Sequence, residues 1–107
     1  MIFIETSVFT RQMKNLISDD SYRQLQDLLA ESPGRGNVIP GSGGCRKLRW
    51  KIAGKGKRSG IRVIYYWLKE SDQIFMMLAY AKAASEDLTR EQISLLGELV
   101  RNEFRSI

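Results

Sequence analysis

Apolar residues change their period several times along this chain, and each change marks an element. Ile2 to Glu5 is short, β-branched and aromatic, and predicts a first strand. Phe9, Met13, Leu16 and Ile17 then recur at spacings of three and four, the buried stripe of a helix. Ser18-Asp19-Asp20 supplies an N-cap for a second helix, whose stripe is Tyr22, Leu25, Leu28 and Leu29. Residues 33–44 hold both prolines and five of the nine glycines, and read as a connection in which Val38-Ile39-Pro40 pins the loop to the core. Residues 45–52 and 61–68 predict two strands flanking a hairpin loop of glycine and cations, and residues 74–80 a third strand. The last helix opens at Thr89, with Gln92 at the capping-box position, and continues through Ile93, Leu96, Val100 and Phe104. The order β-α-α-β-β-β-α defines an α+β class: a small antiparallel twisted sheet packed with helices, in one domain over residues 1–107.

Charge changes this picture. Residues 32–69 carry ten of the seventeen Lys and Arg and none of the twelve Asp and Glu, so a segment of +10 is set into a remainder of −5. Such a device suits polyanions, above all nucleic-acid phosphates. Alternation gives it a direction: Leu48, Trp50 and Ile52 share one face of their strand, so Lys47, Arg49 and Lys51 share the other, about 6.5 to 7 Å apart. The same row would also serve as a solvated face that discourages edge pairing. Residues 61–68 are apolar or aromatic on both faces, as in a central strand. Arg62 enters where the loop meets that strand, which suits a packed phosphate clamp or an Arg laid on an aromatic ring.

Composition excludes several chemistries. Histidine is absent and Cys45 is the single cysteine, which rules out an ordinary zinc site, an internal disulfide and Ser-His-Asp or Cys-His catalysis. Chemistry near neutral pH would fall to Lys, Arg, Tyr or carboxylates, with no cofactor. Gly41-Ser42-Gly43-Gly44 is followed by a strand and by no Gly-Lys-Ser/Thr, unlike a P-loop. No apolar run approaches the roughly 20 residues of a membrane span, and the N-terminus lacks signal-peptide character, so a cytoplasmic protein with no membrane role is expected. The aromatics of residues 65–67 are core candidates, whereas Tyr80, at a strand end beside Lys82, could stack on a base.

Three stretches carry a resemblance. Gly43-Gly44-Cys45-Arg46-Lys47-Leu48-Arg49, the glycine-cation loop leading to Arg58-Ser59-Gly60-Ile61-Arg62-Val63-Ile64-Tyr65-Tyr66, and Tyr80-Ala81-Lys82 followed by Asp87-Leu88-Thr89 together resemble the RelE/ParE superfamily of bacterial toxins. Within it they are most similar to the HigB-like ribosome-dependent endoribonucleases. The resemblance implies a toxin that cuts messenger RNA in the ribosome by attack of a ribose 2′-hydroxyl on the adjacent phosphate, without metal. It implies Lys47, Arg49, Arg62 and Lys82 as catalytic residues, with Arg46, Lys51, Lys55, Lys57, Arg58 and Tyr80 on the RNA. It also implies an antitoxin partner, encoded alongside and carrying a helix-turn-helix, through which alone the toxin would meet DNA. Ala81, Ala83 and Ala84 depart from the glycine, asparagine and glutamate of the HigB-like segment, and Thr89 replaces the stacking tyrosine of the RelE group. Two other outcomes stay open: a gyrase-inhibiting toxin of the ParE branch, and an RNA- or ribosome-binding module without activity.

Overall fold

A computed structural model describes residues 1–51, 60–81 and 87–104. Strand β1 (Ile2–Glu5) leads into α1 (Ser7–Leu16) and α2 (Asp19–Glu31), then a two-residue strand β2 (Asn37–Val38). The strands β3 (Arg46–Trp50), β4 (Ile61–Leu68) and β5 (Gln73–Ala81) follow, with a 3₁₀ turn at Lys69–Ser71 between the last two. Helix α3 (Arg90–Leu99) closes the order and runs into a π-helical turn, Val100–Phe104. The α+β class is as expected.

Local signals explain the helix ends. Ser18 Oγ accepts from the Ser21 amide, and Thr89 and Gln92 form the reciprocal capping box. Thr6 caps α1 in the same way, accepting from the Phe9 amide at 3.0 Å.

The sheet order is β1-β5-β4-β3-β2. The chain's first strand pairs parallel with β5, so the sheet is mixed and not antiparallel throughout as expected from the element order. The two intervening helices are what permit this, because a parallel neighbour requires a crossover. The 33–44 connection also contributes β2, paired with β3 through Asn37↔Lys47 and Val38↔Arg46. Val38 is 52% exposed, so of the expected loop anchor it is Ile39 that packs on the core.

Strand β4 is central and covered on both sides. Its Ile61, Val63 and Tyr65 pack with Phe9, Met13, Leu25 and Leu29 of α1 and α2, whereas Ile64 and Tyr66 pack with Leu96 and Val100 beneath α3. Tyr65 is fully buried, and its hydroxyl donates to Pro33 O and accepts from the Gly36 amide, both at 2.8 Å. On the other face α3 seats on the 41–44 turn. Gly97 lies so close to it that a Cβ there would stand 2.9 Å from Gly41 O, and Gly43 (φ +76°) faces Val100.

One irregularity positions the site. Ile64 pairs with Leu78 and Tyr65 with Met76, leaving Met77 as an extra residue in β5. The bulge puts Met77 and Leu78 on the same face, and so turns Tyr80 toward α3 and Ala79 toward α1 and α2. Its freed backbone groups are satisfied from α1 and its cap. Thr6 Oγ1 donates to Met77 O at 2.8 Å, and the Ala79 amide donates to Gln12 Oε1 at 2.8 Å.

Candidate nucleic-acid interface

Register brings the cations together. Arg49 of β3 lies directly opposite Arg62 of β4, which lies opposite Tyr80 of β5. Directly opposed residues share a face, so these three form a row across three strands on the α3 side, with Lys47 in the neighbouring row opposite Ile64. Lys51 follows β3 with the same alternation and is exposed. Helix α3 covers the other end of this face, around Ile64, Tyr66 and Met77.

The row grades from wet to dry. Arg49 is exposed, Lys47 partly so, and Arg62 only 8% accessible. Among the described residues Arg62 has no carboxylate within ion-pair distance and no ring beneath it; the cation–π pair among them is Lys69 on Trp67, on the other face of the sheet. The Tyr80 hydroxyl is buried and has no hydrogen-bond partner among the described residues. Burial raises the Tyr80 phenol above its ordinary pKa against the pull of Lys47 and Arg62, so it stays protonated and able to donate. A buried cation beside an unpaired buried donor is costly unless an acceptor arrives. The chemistry of this set fits an anion with several oxygens.

An acid also reaches the row. Asp87 Oδ1 accepts from Lys47 Nζ at 3.0 Å, forty residues away in sequence, and its pKa is lowered first by that hydrogen bond and then by the charges of Lys47, Arg62 and Arg49. Charge counting singles out an acid-free window and so passes over Asp87. No sequence period joins it to Lys47.

Arg46 is not brought to this group. It shares the face of Leu48 and Trp50, and its Nη1 donates to Gly34 O at 3.0 Å and Gly36 O at 2.8 Å, tying the 33–36 loop to β3. The alternation that placed Lys47 and Arg49 carried the same signal for Arg46. Lys55, Lys57, Arg58 and Lys82 lie outside the described residues. No group of three or more metal-ligating side chains occurs among the described residues, and no helix there is long and apolar enough to cross a membrane.

No family model matches the sequence. Among solved structures, a chain of the intact E. coli RelBE toxin–antitoxin complex is similar over 75% of this chain and 94% of its own length, with a TM-score of 0.55 and 20% identity. E. coli toxin RelE in the free state, as a double arginine-to-alanine variant, is similar over 79% of this chain and 86% of its own, with a TM-score of 0.51 and 23% identity. The chain therefore has a RelE-like α+β fold. On that fold Arg49, Arg62 and Tyr80 form a row crossing β3, β4 and β5.

Proposed function

We propose that this chain is the toxin of a toxin–antitoxin pair and acts as a ribosome-dependent endoribonuclease on messenger RNA in the cytoplasm. The observation that carries the reading is the Arg49–Arg62–Tyr80 row, which runs from an exposed guanidinium to a buried one and a buried hydroxyl with no partner among the described residues. The RelE-like fold supports it independently.

In the proposed reaction the 2′-oxygen attacks the adjacent phosphorus and the P–O5′ bond breaks, leaving a 2′,3′-cyclic phosphate and a 5′-hydroxyl. The 2′-hydroxyl proton passes to a base and the departing O5′ takes one from an acid, so no metal or cofactor enters. Arg62 and Arg49 hold the non-bridging oxygens and stabilise the charge that builds on them. Tyr80 donates to the same group. Lys47 stands at the strand edge of the site, and Lys82 joins it by the family resemblance. Lys51, Lys55, Lys57 and Arg58 supply phosphate contacts that position the RNA without specifying it. The partner that restrains the toxin presents acids or an apolar segment to this surface.

The test is primer-extension mapping of cleavage with purified protein, ribosomes and a defined message. Arg62→Ala should cut about 10² to 10³ times more slowly while folding normally by circular dichroism. Unimpaired cleavage by that variant would overturn the catalytic assignment. Intact translation with a DNA-damage response on expression would instead place the protein in the gyrase-inhibiting branch.

A further inference from the structure

Asp87 is tied to the site by a single side-chain bond among the described residues. Its side chain is 83% exposed, it precedes the α3 cap by two residues, and that bond is the 3.0 Å contact from Lys47 Nζ. A carboxylate with no other side-chain contact among the described residues sits where Lys47, Arg62 and Arg49 all act on it. Carboxylate and phosphate oxygens make the same kind of charge-assisted bond to an ammonium group. An exposed pair of this sort is weak and readily exchanged.

We propose that Asp87 is a built-in counter-ion of the phosphate site, its carboxylate occupying the place on Lys47 that a backbone phosphate of single-stranded RNA takes. Binding is then an exchange: the strand's phosphate displaces Asp87 from Lys47, and the freed carboxylate returns to water. The exchange lowers affinity for loose RNA without touching the buried half of the site, where Arg62 and Tyr80 wait for the same phosphate group. The proposal rests on reading this face as a phosphate-binding site.

It is tested by fluorescence anisotropy of full-length protein with a 2′-O-methyl RNA decamer, which cannot be cut, titrated across a range of KCl. Asp87→Asn should bind about two- to fivefold more tightly at low salt, the scale of one exposed charge pair. The slope of log K against log salt should steepen by up to about 0.7, because in the parent the freed Asp87 carboxylate takes up a cation and offsets the release from the phosphate that displaces it. Asp87→Glu should behave as the parent, and the gain from Asp87→Asn should vanish in a Lys47→Ala background. Unchanged or weaker binding by Asp87→Asn, with an unchanged slope, would overturn the counter-ion role. Parental binding by both Lys47→Ala and Arg49→Ala would instead overturn the phosphate-site reading beneath it.

Discussion

On the α1/α2 side of the sheet, Phe9, Leu25 and Leu29 bury completely against Ile61, Val63, Tyr65 and Ile74, whereas on the α3 side burial stops partway. There α3 covers Ile64, Tyr66 and Met77, while the same face carries Lys47 partly exposed, Arg49 exposed and Arg62 buried. The same strands serve both faces, and β4 alternates between them residue by residue. One face supplies stability, so the other can hold a buried guanidinium beside a buried hydroxyl that has no partner among the described residues.

Three comparisons sharpen this contrast. The largest effect should come from the closed face: Phe9→Ala should destabilise the protein by about 3–5 kcal/mol in urea denaturation. Arg49→Ala, exposed on the open face, should stay within about 0.5 kcal/mol of the parent. Comparable losses from the two would end the division of labour. Next is the seat of α3. Gly43→Ala places a Cβ at φ +76° and 3.2 Å from Val100 Cβ, and should cost about 1–3 kcal/mol. Cys45, fully buried under that helix with its thiol pushed up to about 11, should then react faster with a disulfide reagent than in the parent. No gain in thiol reactivity would mean that α3 does not depend on this turn.

The smallest effect is electrostatic. Carboxyl NMR should find Asp87 titrating below the ordinary aspartate range, and moving back toward it in Lys47→Ala. Because its folded pKa is lowered, the pair is complete above the unfolded pKa and is lost as pH falls through the folded one. Binding of the RNA decamer should therefore grow relatively stronger as Asp87 protonates. An Asp87 that titrates normally would remove the acid from the cationic face.

Much of the closed face was legible in the chain, because its rules are local. Helical spacing placed Phe9, Met13, Leu25 and Leu29 inside, and Ser18 and the Thr89/Gln92 box announced two helix starts. The apolar run at residues 61–68 marked a strand buried on both sides, as β4 is. Period-two alternation aimed Lys47, Arg49 and Lys51 together, and applied one residue earlier it sends Arg46 to the other face, where it holds the 33–36 loop. The parallel seat of β1 beside β5 was not legible, since about seventy residues separate partners such as Ile2 and Gln73.

The sequence by itself determined which residues are cationic, that they concentrate in one segment, and which of them share a strand face, because charge and a two-residue period are properties of neighbours along the chain. Only the tertiary structure decided what stands around them. The extra residue Met77 turned Tyr80 onto the row of Arg49 and Arg62, and Asp87 came to rest against Lys47, forty residues away. The first outcome depends on pairing register between distant segments, where a single-residue shift exchanges the two faces of a strand, and the second on a contact that no local period encodes.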